Sequence, residues 1–165
     1  MADLNDILLL GDPRLYQKSM PVTHSELAGL KSKVRQMSEL VRLFRLKYGV
    51  GRAIAAPQIG LMKRIIVINI DKPQVLFNPV LTELSKEIFE MWDDCMSFPN
   101  LLVKVARHQS CIIEFKDSDW QEQSWTLEGA MSELIQHEYD HLNGILAIQR
   151  ALDNRSFKWR PTPSA

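Results

Sequence analysis

The stretch "QHEYDHLNG" (136–144) is the one on which the reading of this chain turns. His137 and His141 stand four apart with Glu138 beside the first, an H-E-x-x-H pattern. On a helix that spacing puts both imidazoles on one face, where they can grip one metal ion with the glutamate next to it. Asn143-Gly144 then supplies the residue types that end a helix. Ala130, Leu134, His137 and His141 fall on one stripe, so residues 130 to 142 predict a helix whose histidines extend its core-facing side. The plainer alternative is a pair of buried, hydrogen-bonded histidines. A third ligand is needed to decide between the two.

Outward from this helix the pattern is mostly strand. "RIIVINI" (64–70), "QVLFNPVLTEL" (74–84), "EIFEMWDDCMSF" (87–98), "LLVKVARH" (101–108), "SCIIEFKD" (110–117) and "SWTLEG" (124–129) read as short strands broken by turn residues. Residues 23 to 49 predict a long helix. Thr23 and Glu26 suit its start, apolar residues recur from Leu27 to Tyr48 at steps of three and four, and Gly49 is placed to end it. Strands with helices packed on them imply an α+β fold, and the tail "FKWRPTPSA" is expected to fray.

The 165 residues suit a single domain, with 45% hydrophobic and 24% charged residues. Acids and bases balance at 20 each, which argues against non-specific nucleic-acid binding or a polybasic membrane surface. No apolar stretch approaches the roughly 20 residues of a membrane span, and "MADLNDILLLGDPRL" lacks the basic start of a secretory signal. Cytoplasmic location with reduced Cys95 and Cys111 is therefore expected.

For the third ligand, the residues after His141 offer Asp153 as their sole acid and Ala147 where a further histidine would complete a metzincin pattern. The search therefore turns upstream, to Cys95, Cys111, His24, His108 or a carboxylate. Cys111 sits in an apolar strand and reads as core. His24 and His108 sit at element ends and read as solvated. Cys95 differs, because "DDCMSFPN" places its thiol where a strand gives way to an irregular turn and can face a cavity. A thiolate with two imidazoles leaves a fourth position open, the catalytic kind of arrangement.

With these residues in place the sequence resembles the peptide deformylases, metalloamidases that remove the N-formyl group from newly made proteins. Their three motifs occur in order: G-x-G-x-A-A-x-Q as "GRAIAAPQ" (51–58), E-G-C-x-S as "DDCMS" (93–97) and H-E-x-D-H as "HEYDH" (137–141). "GDPRL", "PV" at 21–22, "FNP" at 77–79 and "HLNGIL" also fit, so residues 1–165 read as one deformylase-like domain. The resemblance implies antiparallel strands packed around a central metal-bearing helix. It also implies one divalent ion, commonly ferrous iron with zinc, nickel or cobalt as substitutes, held by Cys95, His137 and His141. Glu138 would move protons, while the Gln58 amide and the Met96 N–H would steady the developing oxyanion. Gly51, Arg52, Ala53, Ile54, Asp93, Asp94 and Glu133 would border the substrate. Its implied partners are formylated N-termini of nascent chains at the ribosome, with no nucleic acid or membrane bound directly. Two rival readings use the same residues: an amidase for another acyl-amine, and a catalytically weak homologue that keeps the metal.

The chain also departs from the family's motifs. Ala53 and Asp94 stand where the motifs have glycine, Arg52 where an aliphatic residue is usual, and Glu133 where the methionine pocket is generally apolar. Arg52 and Glu133 are expected to pair across that pocket's mouth, leaving a modest activity on formyl-methionyl peptides and better tolerance of polar first side chains. Arg107 and Asp140 are expected to pair behind the metal helix.

Overall fold

The computed structural model describes residues 1–161. Two helices, α1 (Leu27–Tyr48) and α2 (Gly129–Leu142), combine with eight strands: β1 (Ala53–Ala55), β2 (Ile65–Asn69), β3 (Pro73–Thr82), β4 (Ile88–Asp93), β5 (Leu101–His108), β6 (Ser110–Lys116), β7 (Glu122–Glu128) and β8 (Phe157–Trp159). One sheet runs β1-β2-β3-β6-β7 and the other β4-β5-β8. Every strand pairing within them is antiparallel, the α+β arrangement expected.

The five-stranded sheet carries a helix on each face. Strand side chains alternate, so Ile65 and Val67 of β2 meet α1 through Met37, Leu40, Val41 and Phe44. Ile66 and Ile68 point the other way, onto Leu134, Ile135 and Leu142 of α2. This double cover explains why "RIIVINI" is apolar throughout rather than alternating. α2 touches strands of both sheets, so it is buried almost all round. Ala130, placed on the core-facing stripe by its spacing, is instead exposed at the start of α2.

α1 begins after a 3₁₀ turn at which the Thr23 N–H donates to Glu26 Oε2 at 2.8 Å, and ends at Gly49 with φ 74°. "PV" and "FNP" prove to be one contact: Asn78 accepts from the Val22 N–H at 2.7 Å and donates to its carbonyl at 2.8 Å. Asn78 has φ 50° where β3 shifts register against β6. The tail does not simply fray. β8 pairs with Leu101–Val103 of β5, and residues 162–165 lie outside the described chain.

Gly144, which follows the metal helix, has φ 72°, and a Cβ there would run into the Tyr16 carbonyl. Gly144→Ala is therefore expected to cost more than about 2 kcal/mol, a drop of roughly 4–8 °C in melting temperature for a domain of this size. Gly29 sits in open space on α1, so Gly29→Ala should leave the melt unchanged or raise it. Equal melts for the two variants would mean that the Tyr16 segment moves aside freely.

Candidate metal centre

α2 and the turn after β4 bring three electron-pair donors together. Cys95 Sγ, His137 and His141 offer ligand atoms within 4.8 Å of one another, all on buried residues. His141 Nε2 lies 3.3 Å from the sulfur and 3.2 Å from His137 Nε2. Metal–ligand bonds of about 2.0–2.3 Å in a tetrahedron put neighbouring ligands about 3.3–3.6 Å apart. The observed spacings are close to that, so this donor set fits one first-row divalent ion. Cys111, by contrast, is buried on β6 in the core under α2. His24 is exposed and His108 passes its Nδ1 to the Ser85 carbonyl at 2.7 Å, so neither approaches the cluster.

The ligands are held by a buried ionic network. Asp93 Oδ2 accepts hydrogen bonds from His137 Nδ1 at 2.9 Å and from Arg107 Nη2 at 2.9 Å. Arg107 Nη1 donates to Asp140 at 2.8 Å, the pairing expected from the sequence, and Arg150 adds a two-pronged contact to the same carboxylate. Burial by itself would raise the Asp93 pKa, but the neighbouring His137 and Arg107 outweigh it and bring it to about 2. A carboxylate that keeps its charge can fix the His137 tautomer and leave Nε2 for a metal. Asp93 also borders the cavity, as expected, with its Oδ2 held by His137 and Arg107.

Glu138 is buried beside His137 on the cavity wall, and burial pushes its pKa up to about 7. Its Oε2 and the Nδ1 of His141 have no hydrogen-bond partner among the described residues. An unpaired buried carboxylate oxygen is costly to folding, which points to chemistry as its reason. Opposite, Gln58 Oε1 accepts from the Ala55 N–H at 2.9 Å, which turns the amide nitrogen to Ser97 Oγ at 3.1 Å and Cys95 Sγ at 3.5 Å. The N-terminal segment pins both sides of this arrangement. Leu8 N–H donates to the Gln58 carbonyl and Leu10 N–H to that of Ser97. The Met96 N–H donates to no acceptor among the described residues and stays free for a ligand.

A cavity of about 530 Å³ opens from this cluster, bordered by Gly51, Arg52, Ala53, Asp94 and Glu133 as the sequence indicated. Ile54 is not among them. It points from β1 into the α1 core while Ala53 and Ala55 face α2, since alternate strand residues take opposite faces. Arg52 Nη2 meets Glu133 Oε1 at 2.5 Å, the pair anticipated across the mouth. Asp94 meets Arg160 at 2.6 Å. Gly51 has φ 131° and its Cα faces Phe44, so a side chain there would crowd the same wall.

The family profile described as polypeptide deformylase matches residues 4–156. The chain belongs to that family. It is 32% identical over 152 residues to the peptide deformylase of Dictyoglomus thermophilum, covering 91% of this chain and 94% of that one. Against the Thermotoga maritima enzyme it is 32% identical over 145 residues, 87% of this chain and 85% of the other. Among solved structures, a Synechococcus elongatus peptide deformylase in complex with actinonin superposes with TM-score 0.82 at 30% identity, over 90% of this chain and 79% of that one. The Thermotoga maritima structure gives 0.81 at 30% identity, over 89% and 97%.

Membership in the deformylase family establishes the activity as metal-dependent hydrolysis of the formyl amide on nascent peptides, and lends no support to an amidase for other acyl-amines. The residues that the sequence did not reveal are mostly partners at a distance: Ser97 for Gln58, Arg150 for Asp140, and Arg160 for Asp94. For Asp93 a signal existed, since it is an acid two residues ahead of the metal-type Cys95. Among the described residues, no helix is long and apolar enough to cross a membrane.

Proposed function

We propose that Cys95, His137 and His141 hold one divalent ion, ferrous iron by the family's habit with zinc, nickel or cobalt able to replace it, and that this centre deformylates nascent chains in the cytoplasm as they leave the ribosome. The observation that carries this reading is the convergence of the three donors beside a buried, unpaired Glu138 carboxylate. A bound ion would supply Lewis-acid polarisation of the formyl oxygen and make water easier to deprotonate. Glu138, with its pKa near neutrality, takes the proton of the attacking water and hands it to the departing amine. The Gln58 amide nitrogen and the Met96 N–H donate to the oxygen on which negative charge builds. Asp93 and Arg107 keep His137 oriented throughout.

The test is anaerobic purification, metal analysis and a formyl-peptide assay. One ion per chain and release of formate are expected. A fully loaded protein that releases no formate would support the weak-homologue reading instead.

A further inference from the structure

The pocket wall one turn before His137 is charged. Glu133 and His137 are four residues apart on α2, so they share a face, and both border the cavity. A substrate with its formyl group at the metal ligands therefore places its first side chain within reach of Glu133. The Glu133 side chain is 5% exposed, with Oε1 taken by Arg52, while Arg52 also donates to the Ala130 carbonyl and is 35% exposed. Glu133 Oε2 accepts no hydrogen bond among the described residues, and unlike Glu138 Oε2 it is not sealed from solvent. It is an acceptor open to the pocket.

The other cations on this wall do not compete for it. Arg45 is spent on the Gly51, Asn69 and Ile70 carbonyls, and Arg160 on Asp94 and the Pro99 carbonyl. We propose that the Arg52–Glu133 pair is a specificity device. It levels the choice at the first residue, so that formylated N-termini bearing a hydrogen-bond donor of glutamine's length enter almost as well as those bearing methionine. The inference rests on the deformylase reading.

The reason is desolvation. A thioether laid against the open carboxylate oxygen strips its water and returns no hydrogen bond, whereas an amide N–H replaces the lost water. The pair does not open to escape this cost, because separating it would strand a buried carboxylate. Lining a pocket with polar groups shifts selection toward ligands that can satisfy them.

The test compares N-formyl-Met and N-formyl-Gln peptides of otherwise identical sequence on the iron-loaded protein, its Arg52→Ile/Glu133→Ile double variant and a Glu133→Met variant. Melting temperature and metal content are measured for each. The kcat/KM ratio of methionine to glutamine is expected within about tenfold in the native protein and at least about tenfold higher once the charge is gone. If the double variant fails to fold, Glu133→Met decides alone, since its Arg52 is free to reach water. The same ratio, read as Kd in Glu138→Gln, should move in parallel. A smaller rise overturns the inference while leaving deformylation standing; hydrolysis of neither peptide by the loaded native protein overturns the deformylase reading and the inference with it.

Discussion

Cys95→Ser is expected to lose the metal ion and with it nearly all turnover, on the order of 10³-fold or more if the ion supplies several kcal/mol of transition-state stabilisation. A serine hydroxyl is a far weaker ligand than a thiolate, and two imidazoles alone hold a divalent ion poorly. The other cysteine provides the control. Cys111 is 1% exposed in the core under α2, and burial pushes its thiol pKa up, as for an inert structural residue. Cys111→Ser should therefore keep its metal and lose only some stability. Metal analysis of both variants beside the native protein settles the matter: retention after Cys95→Ser would remove this residue from the ligand set.

Glu138→Gln is expected to separate metal binding from turnover. The substitution keeps size and shape, and the three ligand side chains do not hydrogen-bond to Glu138. Metal content should therefore stay near one ion per chain. What disappears is the group that accepts and returns a proton, a role that contributes roughly 10²–10⁴-fold. The loss should fall on kcat with KM little changed, since the effect is confined to the transition state. Normal turnover in this variant would assign proton transfer to some other group.

How far the sequence carried the reading depends on the range of each signal. Residues 64–70 and 101–108 are strands because their β-branched and apolar runs suit a pleated surface, and the observed bounds, Ile65–Asn69 and Leu101–His108, differ little. α1 was legible from its periodicity, Glu26 and Gly49. β1 and β8 were not. With three residues each they have no period of their own and exist because β2 and β5 present free edges to pair with. The division into two sheets was equally invisible, since pairings such as β3 with β6 and β5 with β8 join segments distant in sequence.

By itself the sequence determined the local chemistry: two imidazoles on one helix face, a glutamate between them, and a cysteine at the end of a strand, because spacing along a helix or strand is set by backbone geometry. Only the tertiary structure decided what those groups meet. It set Asp93 against His137, turned Ile54 into the core, and closed Arg52 onto Glu133. The physical reason is that partner choice for a buried charge is a question of desolvation and distance across the fold. Such distances follow from how α2 is wedged between two sheets, and no stretch of sequence contains that packing.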